Sequence, residues 1–288
     1  MKKIQWFDQR FYKVVTKGKV DFLPSVTTIL SVTPKPFLKN WVGSIGNEEA
    51  NAYTKERMDF GSFVHSLCEH VAKGGLVLFN DELDPSYKPE EIAEMRKYNN
   101  IRITDNQFAF YHVYKFSQFL DMVKPYEIYS EQIIYSLEYR YAGTMDLLIY
   151  IPEGDYDING SKPLHLEEGY YIADIKTGNV YPEAHLQMAA YDVAYREFNP
   201  EFDIVGSLIL HTNAKTKRGI EGFSTILRTK EEMKEDFANF LKVYEMYNLY
   251  PASSPKVFEL PSIIQLDVDS FKPKENKNTQ TNIMEEVL

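Results

Sequence analysis

Gly143-Thr-Met-Asp146 and Ile172-Ala-Asp174-Ile-Lys176-Thr-Gly178 put two carboxylates and a lysine at the ends of apolar, strand-like runs. Side chains of an extended chain alternate faces, so Asp174 and Lys176 project to one side while Ala173 and Ile175 point into the opposite layer. The flanking runs, 142–151 and 170–176, are apolar enough to be interior strands of a sheet covered on both faces. Charges on such strands need a partner or a metal. Two acids converging on a hard divalent cation supply oxygen ligands, and an ammonium two residues on can hold or polarise a water beside it. An ordinary surface ion pair has the same Asp-x-Lys spacing, and only the apolar flanks favour the buried site.

Three further segments extend the pattern. Gly61-Ser-Phe-Val-His65 precedes the first acid, Gln187-Met-Ala-Ala-Tyr191 follows the lysine, and Pro24-Ser-Val-Thr-Thr-Ile-Leu-Ser31 with Lys35-Pro-Phe-Leu-Lys-Asn-Trp41 leads the chain. In this order the motifs resemble the PD-(D/E)xK nuclease superfamily, in its RecB-type and phage exonuclease branch, and the leader is similar to that of phage and mitochondrial genome maintenance exonucleases. The resemblance spans roughly residues 20 to 211. It implies an α/β fold with a PD-(D/E)xK restriction-endonuclease-like core, a central mixed sheet flanked by helices. It also implies that Asp146, Asp174 and the Ile175 backbone carbonyl hold Mg²⁺ or Mn²⁺, that Lys176 positions water, and that His65 lies beside the metal centre.

Composition excludes other classes. The 288 residues, 44% hydrophobic and 14% aromatic, suffice for one sizeable core. No apolar run is long enough for a membrane span, and Met1-Lys-Lys-Ile-Gln-Trp-Phe lacks the apolar stretch of a signal peptide, so a cytoplasmic site in a bacterium or phage-infected host is expected. The single Cys68 excludes an iron-sulfur cluster built from this chain's cysteines, and without a Gly-x-x-x-x-Gly-Lys-Ser/Thr segment no ATP site is expected.

A net charge of −10 sits awkwardly with a polyanionic ligand, but the charge is uneven. Residues 1–46 hold eight basic residues against Asp8 and Asp21, so Lys35 and Lys39, interleaved with Phe37 and Trp41, are candidate contacts to single-stranded nucleic acid. Lys215, Lys217 and Arg218 in a Gly-ended turn form a second candidate. Both segments read equally well as solvated surface.

Periodicity predicts helices over residues 58–73, near 89–98, 106–123, 182–198 and 230–247, and hairpins over 127–151 and 203–227, with a turn-rich connection at 152–169. His65 borders the apolar stripe of the first helix, with Glu69 one turn on. Gln187 and Tyr191 share a helix face, where they can bind substrate phosphate or steady the lysine. Glu131 is expected to pair across strands with Arg140 or Lys176.

The expected organisation is a basic N-terminal arm and leader (1–57), a nuclease core (58–211), a hairpin and helix extension of the same domain (212–271) and a disordered tail (272–288), whose end could dock on a replication or recombination protein. The expected activity is metal-dependent exonuclease action on DNA, with single-stranded ends favoured. Alternatives are a structure-specific flap endonuclease and a non-catalytic nucleic-acid-binding subunit that keeps the fold.

Overall fold

The computed structural model describes residues 1–249 apart from 81–89, 91–92, 95–99 and 161, with the side chains of Pro36, Phe37 and Lys39 also left aside. The predicted helix near 89–98 falls mostly outside these residues, as do positions 250–271 of the extension and the tail from Lys272. The described residues belong to one compact unit. Among them, no helix is long and apolar enough to cross a membrane.

The protein is mixed α/β. A five-stranded sheet is built from β6 (Glu127–Ser136), β7 (Tyr141–Ile151), β10 (Gly169–Lys176), β11 (Ile204–His211) and β12 (Ser224–Thr229), in the order β12-β11-β10-β7-β6. β10 and β11 run parallel and the other neighbours antiparallel. The parallel pair is joined by the long helix crossover that such a connection requires. A short ribbon, β8 (Gly154–Tyr156) with β9 (Leu164–Leu166), lies within the connection expected to be turn-rich.

The basic N-terminal segment is no extended arm. β1 (Lys2–Trp6), β2 (Gln9–Thr16) and β3 (Lys19–Pro24) form an antiparallel sheet. Tyr12 is fully buried and hydrogen-bonds Thr144 at 2.8 Å, so this sheet leans on the strand that carries Asp146. α1 (Val26–Leu30) and α2 (Pro36–Ile45) follow. Ser25 caps α1 by accepting the Thr28 N–H at 3.0 Å, which is why the leader turns where it does.

α3 (Asn47–Ala72) starts well before residue 58 and ends where Gly74 adopts a φ of 80. After the parallel pair β4 (Leu76–Phe79) and β5 (Ile101–Thr104), α4 (Gln107–Val123) is capped by Asn106, which accepts the Ala109 N–H at 3.0 Å. α5 (Glu183–Arg196) lies in the crossover, and α6 (Lys230–Leu249) opens on a capping box in which Thr229 and Glu232 exchange hydrogen bonds.

The sheet is covered on both faces. Ala173 and Ile175 pack with Leu147, Ile149, Leu208, Val64, Leu67, Phe116 and Phe119 against α3 and α4. Ile172, Leu148, Met145 and Ile209 pack with Met188, Ala189, Met233 and Phe240 against α5 and α6. Burying each such side chain is worth roughly 1.5–3 kcal/mol, so the two layers fix the sheet in place.

β7 does not alternate throughout. Tyr141 and Met145 face α5 and α6, whereas Leu147, Ile149 and Ile151 face α3 and α4. The face changes at Asp146. There the β6–β7 ladder steps from Ser130↔Leu147 to Gln132↔Met145, and Glu131 takes a left-handed φ of 52. A non-glycine residue in that conformation marks a local distortion, which here opens the sheet beside the acid.

Candidate functional site

The β7–β10 ladder ends at Ala173↔Leu147, one pair short of setting Asp174 opposite Asp146. Beyond that point the Ile175 N–H turns to the Asp146 carboxylate, donating to Oδ2 at 3.1 Å. Both acids therefore sit where the two strands part. Asp174 is only 4% exposed, and its Oδ2 lies 2.6 Å from Lys176 Nζ. His65, on α3, brings Nδ1 to 3.2 Å from Asp146 Oδ2. The structure thus gathers Asp146, Asp174, Lys176 and His65 into one cluster, two acids balanced by two bases.

Small residues let the helices approach. An added Cβ at Gly61 would stand 3.5 Å from Thr177 Oγ1, so α3 passes close to the end of β10 and delivers His65 one turn later. A Cβ at Gly143 would collide with the ring of Tyr191. Tyr191 is 4% exposed, and its hydroxyl accepts from Gln187 Nε2 at 3.1 Å. Gln187 Nε2 also reaches Asp174 Oδ1 at 3.5 Å. Tyr191 therefore lies beneath the acids and steadies Gln187 rather than facing a substrate. Gly143→Ala is expected to lower stability by about 1–3 kcal/mol through overpacking against this ring, read as a reduced urea midpoint at unchanged m-value.

Electrostatics follow the pairing. For His65, burial opposes the charge, but Asp146 beside it, with help from Asp174, holds the imidazole up to about 9. Burial works against the Asp146 carboxylate too, yet His65 and Lys176 keep it below the usual carboxylate range. Burial and the nearby Asp146 charge raise Asp174 despite Lys176. Lys176 is desolvated, but Asp174 and Asp146 hold its ammonium above the ordinary value.

Residues that sequence reading singled out elsewhere have other places. Arg140 pairs with Asp21 at 2.7 Å and Lys176 with Asp174, so neither joins Glu131 as expected. Burial and the charges of Asp146 and Glu69 raise the Glu131 carboxyl. Glu69 itself pairs with Lys73. Lys35 lines a cleft that also reaches Lys176 and Gln187, while the Lys39 side chain lies outside the described residues. Lys215, Lys217 and Arg218 are exposed on a loop folded back by the Ile220 N–H to Ile158 carbonyl bond at 3.1 Å, and they do not line that cleft.

A buried polar network missed in the sequence supports the lysine from below. Thr212 donates to the Lys176 carbonyl twice, from N at 2.9 Å and from Oγ1 at 3.2 Å. With that hydroxyl proton committed, His112 Nδ1 is the donor to Thr212 Oγ1 at 2.6 Å, and Lys115 Nζ donates to the Thr212 carbonyl at 3.0 Å. The only sequence signal was polar residues on the otherwise aromatic helix 107–123.

Burial, then Lys115 and His211, push His112 down from its ordinary 6.5 to about 4. The folded state therefore binds fewer protons than the unfolded chain between these values. Stability from this group is complete above pH 6.5 and lost as pH falls toward 4. Urea unfolding at pH 4.5 should show a loss on the order of 1 kcal/mol that His112→Gln reduces, after discounting partial solvent access.

Asp146 and Asp174 suit a magnesium-like ion, which keeps most of its waters and takes one or two carboxylates plus substrate phosphate rather than a full protein cage. Among the described residues no group of three or more His, Cys, Asp and Glu is placed to hold a metal by itself. Asp174 Oδ2 is buried and makes no hydrogen bond of good geometry, even with Lys176 beside it, which leaves it lone-pair capacity for a cation. No family model matches this chain, and no curated protein matches it either, so its own geometry is what speaks for the site.

Proposed function

We propose that the protein is a divalent-metal-dependent DNA nuclease of PD-(D/E)xK type, acting as an exonuclease with single-stranded ends as its favoured substrate. The observation that carries this reading is the convergence of Asp146, Asp174 and Lys176 where β7 and β10 part. Asp146 and Asp174 would hold Mg²⁺ or Mn²⁺, which when bound lowers the pKa of water and neutralises charge on the phosphate.

The chain's own groups do the rest. Lys176 and His65 neutralise the acids. With a cation held by the acids, the Lys176 ammonium would be free to hold the attacking water and to stabilise negative charge growing on the phosphate oxygens. Gln187, fixed by Tyr191, keeps Asp174 turned toward the centre. Water adds to phosphorus, the bond to one bridging oxygen breaks, and the departing oxygen takes a proton.

The test is incubation of purified protein with end-labelled linear and circular single-stranded DNA in Mg²⁺, Mn²⁺ or chelator. Linear DNA is expected to shorten from an end only with metal. Cleavage of circles would favour the endonuclease alternative, and inertness toward both substrates would discard the enzymatic reading.

A further inference from the structure

The aromatic residues of α4 do not all join the core. Phe108, Tyr111 and Tyr114, spaced three apart, are 77%, 49% and 49% exposed, although large rings ordinarily favour burial. Residues three apart are neighbours on one side of a helix, and the centroids of the Tyr111 and Tyr114 rings stand 6.5 Å apart. Their polar tips are open to a ligand. The Tyr111 hydroxyl has no hydrogen-bond partner among the described residues, and the Tyr114 hydroxyl accepts from Gln118 Nε2 at 3.4 Å and keeps its proton.

Lys115 ties this face to the loop that follows β11. Its Nζ lies 4.4 Å from the centroid of the Tyr111 ring and donates to the Thr212 carbonyl at 3.0 Å, and a Cβ on Gly222 would stand 2.6 Å from it. Thr212 and Gly222 are the two ends of the loop, which the Ala214 N–H closes onto the Gly222 carbonyl at 3.1 Å. Lys215, Lys217 and Arg218 outnumber Glu221 there, so the loop is net positive in a chain of net charge −10. Lys215 and Lys217 are exposed and, among the described residues, make no ion pair or side-chain hydrogen bond. Thr212 also holds the Lys176 carbonyl, so the aromatic face and its cations begin beside the proposed catalytic lysine.

Resting on the nuclease reading, we propose that a single strand of DNA runs from the acids over this face, stacking its bases on Tyr111 and Tyr114 with Phe108 beyond, while Lys215 and Lys217 meet its phosphates. Rings accept any base and cations any phosphate, so the surface selects an unpaired strand rather than a sequence, whereas a duplex keeps its base faces covered.

The experiment measures anisotropy of fluorescein-labelled oligo-dT and of an abasic strand of equal length, both with Ca²⁺ over a range of salt, and cleavage of linear DNA with Mg²⁺. The wild-type protein is expected to bind oligo-dT about tenfold or more tightly than the abasic strand. Tyr111→Ala combined with Tyr114→Ala should remove that advantage, and Tyr111→Phe combined with Tyr114→Phe should keep most of it, because stacking needs the ring and not the hydroxyl. Lys215→Gln combined with Lys217→Gln should weaken both strands and flatten the plot of log affinity against log salt by about 1.4, from roughly 0.7 per phosphate contact on a single strand. Equal affinity of the wild type for the two strands, absence of binding, or an oligo-dT affinity unchanged by the alanine pair overturns the track. So does self-association of the wild type that the alanine pair abolishes, which would give the face to a second copy of the chain. Metal-dependent shortening of linear DNA alongside any of these results keeps the nuclease reading and discards the track alone. Ring-dependent binding without any cleavage does the reverse.

Discussion

Lys176→Ala is expected to cut the single-turnover rate of DNA cleavage by about a hundredfold or more, typical of acid-base and electrostatic groups, while DNA affinity changes little. The side chain ends 2.6 Å from Asp174 and is only 27% exposed, which places it among the acids rather than along an outer phosphate path. Lys176→Arg should fail nearly as badly, because a planar guanidinium cannot replace a compact ammonium in the space beside two carboxylates. The alanine variant also leaves Asp174 without its cation. Its thermal stability in chelator should drop, and added Mg²⁺ should recover part of the loss by binding only the folded acids. An alanine variant that cleaves normally but binds DNA many times more weakly would recast Lys176 as a phosphate anchor.

The site was legible because its chemistry lies on regular elements. Alternation along β10 correctly sends Asp174 and Lys176 to one face and Ala173 and Ile175 to the other. Helical spacing correctly puts Gln187 and Tyr191 in contact. The change of face on β7 was not legible, since the left-handed Glu131 lies on the neighbouring strand and nothing in the run 141–151 announces it. The first half of α3 was missed for a different reason. Residues 47–59 are exposed almost all round, so no apolar stripe marks them as helix. The N-terminal lysines drew attention to charge and away from the buried Phe11, Tyr12 and Val14 that make β2 a packed strand. The cleft joins segments some 150 residues apart, so no local pattern announces it.

Asp146→Asn and Asp174→Asn should each abolish metal-dependent cleavage, and their metal-free stabilities should separate them. Two neighbouring carboxylates considered alone repel, which would make either replacement stabilising. The hydrogen bonds decide otherwise for Asp146. Its Oδ2 takes the Ile175 N–H at 3.1 Å and faces His65 Nδ1 at 3.2 Å, and its pKa is held low despite burial. Removing that charge strips His65 of its partner at a cost of about 1–3 kcal/mol, the range for charged hydrogen bonds. Asp174 differs: burial and Asp146 raise its pKa, and its Oδ2 lacks a well-formed hydrogen bond. A neutral amide there gives up the attraction to Lys176 but relieves a strongly desolvated charge, so stability in chelator should stay near that of the wild type. Urea unfolding in EDTA, paired with cleavage assays in Mg²⁺, measures both effects. Near-wild-type cleavage by either variant would remove that acid from the metal site, and a larger stability loss for Asp174→Asn than for Asp146→Asn would reverse the assigned division of charge between the two strands.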